Sequence, residues 1–132
     1  MSFIVKQVRK EDIYSDYERM SALHHFTAWN IDLLPEYAFV CYKDELPIYM
    51  VWFWFTNSKL SIVTFILSNK GMNYKKRIGG MQFLLTKVIE YAKKKKQKMM
   101  YFPTSNQEVA NVLLELGFFE GDKGFGQFFY KL

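Results

Sequence analysis

The segment between the apolar runs Leu60–Leu67 and Met99–Phe102 constrains the fold more than any other. It opens on Lys76-Arg77-Ile78-Gly79-Gly80-Met81 and continues from Gln82 to about Lys95. Met81, Leu84, Leu85, Val88, Ile89 and Ala92 recur three and four residues apart, on one face of an α-helix. Gln82, Thr86, Lys87, Glu90 and Lys93 fall on the other. Such a helix buries its apolar stripe on a sheet, and a helical crossover between two strands sets them parallel. Its first-turn amides have no acceptor inside the helix and lie at the positive end of its dipole. Gly79 and Gly80 let a backbone or a phosphate come close without meeting a Cβ. The functional reading is a cradle for a phosphorylated ligand; the alternative is a tight turn in front of an amphipathic helix.

The rest of the chain supplies a sheet for that helix. Phe3–Val8 reads as a strand, and Arg9 to about Leu23 as a helix with Ile13, Tyr17, Met20 and His24 on one face. Phe26–Leu34 has no clear period and reads as a loop or short helix closed by Pro35. Tyr37–Tyr42, Pro47–Phe55 and Leu60–Leu67, joined by short polar turns, predict an antiparallel meander. Its middle strand is apolar on both faces and should be central. Ser105-Asn106-Gln107-Glu108 has the capping-box pattern, with serine as cap, before a helix carrying Val109, Val112, Leu113 and Leu116 and stopped by Gly117. A hairpin turning at Gly121–Gly124 ends the chain. The expected architecture is a mixed α/β (α+β) domain spanning 1–132. It has a mostly antiparallel sheet of six to seven strands and helices on both faces.

Composition narrows the function classes. With 50% hydrophobic and 19% aromatic residues the chain is not disordered. It has no apolar run of membrane-spanning length and no signal-peptide layout, so no membrane partner is expected. One cysteine, Cys41, leaves no disulfide and no cysteine-rich metal site; it reads as a buried, inert thiol, which fits a reducing cytoplasm. The net charge of +5 suits an anionic ligand. Lys93–Lys98 carries no interleaved aromatics for base stacking, so it reads as a solvated helix end favoured by the dipole, and no nucleic-acid partner is expected.

Two stretches and the element order between them resemble the Gcn5-related N-acetyltransferases. Lys76-Arg77-Ile78-Gly79-Gly80-Met81 looks like that family's Q/R-x-x-G-x-G/A loop, with Lys76 in place of the usual Gln or Arg and Met81 in place of the last small residue. Asn106 through Gly117-Phe118 is similar to the family's segment running from an asparagine to Leu-Gly-Phe. The resemblance implies a donor, acetyl-CoA or another acyl-CoA, and no metal. It implies a pyrophosphate on the amides from Arg77 to Met81, with Lys76 and Ile78 in the same loop, and a contribution from Asn106. The pantetheine arm would pair with the backbone of Phe65, Ile66 and Leu67, between two parallel strands that splay apart, bringing the thioester near Leu67 and Phe102.

The chain departs from the family where protons move. Many members carry a tyrosine four residues before the helix-ending glycine to protonate the departing thiolate; here that position is Leu113. Tyr101, Ser105 and Tyr130 are the replacements suggested by sequence neighbourhood. Leu60–Leu67 holds no carboxylate, so the base would be His25 or His24, acting directly or through a water, or these are ordinary helix-end histidines. Trp29, Trp52 and Trp54 would line an acceptor groove, although Trp52 and Trp54 sit on an apolar strand and suit a core. The expected activity is direct transfer of an acetyl group to a primary amine, on a small molecule or a peptide or protein, by a monomer or homodimer. The rival is a module that keeps the fold, and binds coenzyme A or a protein partner, with little or no catalysis.

Overall fold

β-Branched and aromatic residues make Leu46–Phe55 a strand covered on both faces: from Ile48 to Phe53 no residue is more than 5% exposed. The computed structural model describes Ser2–Leu132. In chain order it contains β1 (Ile4–Arg9), α1 (Lys10–Leu23), a 3-10 turn (Ile31–Leu33), β2 (Tyr37–Lys43), β3 (Leu46–Phe55) and β4 (Leu60–Ser68). These are followed by α2 (Tyr74–Arg77), α3 (Gly80–Lys94), β5 (Met99–Pro103), α4 (Gln107–Glu115), β6 (Phe119–Glu120) and β7 (Gln127–Lys131). The seven strands are hydrogen-bonded in the order β1-β2-β3-β4-β5-β7-β6, in a mixed, mostly antiparallel sheet whose parallel neighbours are β4 and β5. The chain divides into two compact units, one running to Trp52 and resuming over Phe65–Leu84, the other made of Phe53–Thr64 and Leu85–Leu132.

In the first unit β1, β2 and β3 pair antiparallel, from Ile4↔Tyr42 to Arg9↔Tyr37 and from Ala38↔Trp52 to Lys43↔Leu46. The β2–β3 turn places both Asp44 and Glu45 at positive φ (51° and 66°), the geometry of a two-residue hairpin whose twist matches its strands. Helix α1 buries Ile13, Tyr17 and Met20, three and four residues apart, each worth about 1.5–3 kcal/mol of apolar transfer. The Tyr17 ring meets Trp52 edge-on at 5.4 Å. Trp52 is thus a core residue.

Cys41 is wholly buried in β2, and burial pushes its thiol up to about 12. The folded state therefore holds this proton more tightly than the unfolded chain. That contribution to stability is intact below the ordinary thiol value near 9 and is lost as pH rises toward about 12. The native protein is expected to resist a thiol-specific disulfide reagent at pH 8 and to react with one equivalent once unfolded. Its stability should fall over that alkaline range, less steeply in Cys41→Ala.

In the second unit the parallel register is Leu60↔Met99, Ser61↔Met100 and Ile62↔Tyr101, and β5 pairs antiparallel with β7 from Met99↔Lys131 to Pro103↔Gln127. Trp54 donates from Nε1 to Thr64 Oγ1 at 2.7 Å. Helix α4 is capped one residue later than the capping-box pattern predicts. Asn106 Oδ1, not Ser105, accepts from the Val109 amide at 3.1 Å, and Ser105 stays in the exposed approach to the helix. Asparagine ranks with serine as a cap, and Thr104 Oγ1 accepts the Asn106 amide, which fixes the shifted start. The helix closes in a Schellman turn, with Phe118 N–H on Leu113 O and Gly117 N–H on Leu114 O. The lysines at the end of α3 are exposed, as expected of a solvated helix end. Among the described residues no helix is long and apolar enough to cross a membrane.

Candidate functional site

The loop before α3 is built from the inside outward. Asn73 Oδ1 caps α2 by accepting from Lys75 N–H at 2.8 Å, and the Ile78 amide closes that helix on Tyr74 O at 3.1 Å. Lys76 and Arg77 therefore lie in a helical turn rather than in an open loop, and the amide of Ile78 is already used. A four-residue helix leaves no periodic signal in a sequence, which is why the pattern did not reveal it. Gly79 then takes φ +85°, and its carbonyl accepts from Phe83 N–H to begin α3. Among the described residues, no acceptor is recorded for the amides of Gly79, Gly80, Met81 and Gln82, as the first turn of a helix dictates. They are four donors at the positive end of a fifteen-residue helix.

Gly80 is small for a different reason than ligand approach. A Cβ there would stand 2.8 Å from Ile48 Cδ1 and 2.9 Å from Tyr49 Cδ2, so its missing side chain seats α3 against β3. Lys43, read from sequence as part of a polar turn, is buried and donates from Nζ to Lys76 O at 3.0 Å, tying β2 to the loop. Arg77 is turned onto its own segment, with Nε on Met72 O and the guanidinium 5.6 Å from the Tyr74 ring centre. Lys75 and Lys76 are exposed.

Strand β4 supplies the second component. Its buried alternation, Ser61 and Val63, is interrupted at Phe65, which has φ +57°. A bulky residue in the left-handed region inside a strand is a strained exception found at bulges and functional sites. The bend brings the Phe65 ring against Trp29, centroids 4.6 Å apart. After Ser68 the chain is fastened by Asn69, whose Nδ2 donates to Pro47 O and whose Oδ1 accepts from Gly71 N–H. The residues Lys70–Asn73 are thus a turn hung on Asn69, outside the strand.

A cavity of about 300 Å³ lies beside this bend. Tyr17 and Ser21 of α1, Phe26, Thr27 and Trp29 of the following loop, and Phe65, Ile66 and Leu67 of β4 line it. Tyr17 Oη accepts from Trp29 N–H at 3.0 Å, and burial raises its pKa, so the phenol keeps its proton. Tyr14 Oη donates to Trp29 O at 2.7 Å and holds the loop from its other side. Sequence reasoning placed Tyr17 on the buried stripe of α1 and saw no further role for it. The available signal was Ser21, a polar residue one turn later on the same stripe.

The sequence-predicted catalytic residues divide between the two units. His25 is exposed at φ +60°, past the end of α1; it is His24 that reaches β4, with Nε2 2.9 Å from Ser68 O and 3.1 Å from Ser68 Oγ. With its proton on Nε2 the ring donates to Ser68 O; in the other tautomer Nε2 accepts from the Ser68 hydroxyl. The His24 ring stacks on Phe26, 5.3 Å away. Tyr101, Ser105, Asn106 and Tyr130 belong to the second unit. Tyr101 stacks on Phe129 at 5.1 Å, and Asn106 spends its Oδ1 on the helix cap. Tyr130 packs on Phe118 and under Lys93, in the last turn of α3. Leu113 is fully buried. Phe65, Ile66, Leu67 and Lys76 through Met81 all fall in the first unit. Among the described residues no group of three or more His, Cys, Asp or Glu side chains could hold a metal ion.

No family model matches the sequence, and no curated protein sequence aligns with it significantly. Solved structures nevertheless share its architecture. YncA of Salmonella typhimurium, solved with its cofactor acetyl-CoA, matches with a TM-score of 0.73 and 15% identity over 100% of this chain and 95% of its own. The PaiA N-acetyltransferase of Thermoplasma acidophilum, in complex with coenzyme A, matches with 0.69 and 14% identity over 100% of each chain. An acetyltransferase of the GNAT family from Streptococcus pneumoniae gives 0.72 and 13% identity over 99% of each. With the seven-stranded sheet, its parallel β4–β5 pair and the helix that joins them, these full-length matches show that the chain has the fold of the Gcn5-related N-acetyltransferases.

Proposed function

We propose that residues 1–132 act as one N-acyltransferase domain, with acetyl-CoA as donor and a primary amine as acceptor. The observation that carries this reading is the row of unpaired amides from Gly79 to Gln82, in a fold whose solved examples include proteins holding acetyl-CoA and coenzyme A. Those amides and the α3 dipole suit a pyrophosphate, and the exposed Lys75 and Lys76 add positive charge. The backbone of Phe65, Ile66 and Leu67 is the stretch that would pair with the pantetheine amides. In the transfer the amine nitrogen bonds to the thioester carbonyl carbon as the C–S bond breaks, one proton leaving nitrogen and one ending on sulfur. Leu113 cannot supply the second proton. A thiolate is a tolerable leaving group, so lacking a side-chain acid there costs within the usual ~10²–10⁴-fold rather than all turnover.

Leu113 also favours a second reading, a domain that binds coenzyme A without transferring the acyl group. Calorimetric titration with acetyl-CoA, followed by thiol release with a panel of amines, tests both. Binding with release is the expected result. Binding without release from any amine supports the silent module, and absence of binding removes the donor site altogether.

A further inference from the structure

We propose that the cavity beside Phe65–Leu67 receives the apolar side chain of an α-amine acceptor, an amino-acid or peptide N-terminus bearing an aromatic or branched aliphatic group, and turns away lysine and polyamine ammonium groups. This rests on the transferase reading and deepens it. Three observations lead there. The cavity, about 300 Å³, has room for a benzyl or isobutyl group, and no charged side chain lines it. An ammonium ion without a carboxylate partner is strongly disfavoured in such surroundings. Its rim is open to solvent through Phe26 and Trp29, 59% and 43% exposed, so an acceptor side chain can enter from solvent.

The second observation is the phenol of Tyr17. It is 2% exposed, and its oxygen accepts from Trp29 N–H, but among the described residues none accepts its proton. A fixed donor in an apolar cavity suits the carbonyl that stands next to every α-amine of an amino acid or peptide. A lysine side chain or a polyamine has no such group beside its nitrogen.

The third is chemical. Leu60–Ser68 offers no carboxylate base, and the cavity offers none either. At pH 8 about half of α-amines are neutral, against about one in 250 lysine ammonium groups. An enzyme without an acidic side chain at its acceptor site is best matched to an amine that deprotonates by itself. The neutral nitrogen attacks the thioester carbon, the C–S bond breaks to release coenzyme A as a thiolate that takes a proton from solvent, and the proton shed by nitrogen passes to solvent.

Titration with L-phenylalaninamide, followed by nuclear magnetic resonance, tests the site without any donor present. It is expected to shift the Trp29 indole signal, while glycinamide at the same concentration does not. With acetyl-CoA, thiol release should show kcat/KM at least about tenfold higher for phenylalaninamide than for glycinamide, and spermidine and Nα-acetyl-lysinamide should be slower than both. Thr27→Trp, on the exposed loop, should shrink that ratio by filling the mouth. Tyr17→Phe should raise KM for phenylalaninamide several-fold with kcat little changed. Equal shifts and rates for glycinamide, or a preference for spermidine, overturn the proposal. So does a preference for hexanoyl-CoA over acetyl-CoA that Thr27→Trp abolishes, since the cavity would then house the donor's acyl tail. Failure of every amine to release thiol, with the Trp29 shift intact, sinks the transferase reading and leaves the apolar amine site standing.

Discussion

Gly126→Ala is expected to destabilise the protein by about 3–5 kcal/mol, a large share of the stability of a domain this size. Two effects add at this position. Gly126 has φ +65°, where any other residue sets its Cβ against its own backbone at a cost of roughly 1–2 kcal/mol. A Cβ there would also run into the carbonyl oxygen of Thr104 and lie 3.0 Å from its carbonyl carbon. Those are backbone atoms, and no rotamer change moves them away. The segment cannot easily retreat, because Thr104 N–H donates to Gly126 O at 2.8 Å and the adjoining residues hold the Pro103↔Gln127 and Phe102↔Phe128 pairs. Relieving the clash would therefore unzip the end of the β5–β7 ladder. Gly124→Ala separates the two effects. Gly124 has φ +86°, but a Cβ added there would meet nothing within 4 Å, so it should lose only the conformational part. Urea unfolding of both variants checks the difference; equal shifts in midpoint would mean that the steric argument is wrong.

The order of elements was legible because each long element carries its period. The stripe from Met81 to Ala92 could only be a helix, and Pro47–Phe55, apolar on both faces, could only be a central strand. Boundaries and special geometry were not legible, for identifiable reasons. Ser105 and Asn106 are both good caps, and the Thr104 hydroxyl that favours Asn106 acts through a turn the pattern does not encode. His24 and His25 are indistinguishable in a sequence, yet the chain leaves the helix at φ +60° on His25 and points only His24 at Ser68. The bend at Phe65 violates the rule that bulky residues avoid positive φ, so no propensity argument finds it. Because that bend helps form the cavity, Tyr17 and Thr27 were hidden with it. Local preferences fail where the backbone is bent into an unusual shape, as expected of a functional site.

Gly79→Glu is expected to weaken acetyl-CoA binding by at least about a hundredfold while costing the fold only about 1–2 kcal/mol, the strain of a side chain at its φ of +85°. The side chain itself fits, since a Cβ would meet the Phe3 ring at an ordinary 3.5 Å. What it brings is a carboxylate among the amides of Gly79–Gln82. Two like charges 4–5 Å apart at an effective dielectric of about 20 repel by roughly 3–4 kcal/mol, which exceeds a hundredfold even after partial screening. Gly79→Ala carries the strain without the charge and should lose far less affinity; Gly79→Lys should bind no worse than Gly79→Ala. Raising the salt concentration should narrow the gap between Glu and Ala, because screening acts only on the repulsion. Calorimetry on the three variants reads all of this. If Ala and Glu weaken binding equally, the loop matters for its shape and not for its field. If neither does, the diphosphate rests elsewhere, and the amides at the start of α3 have no part in holding the donor.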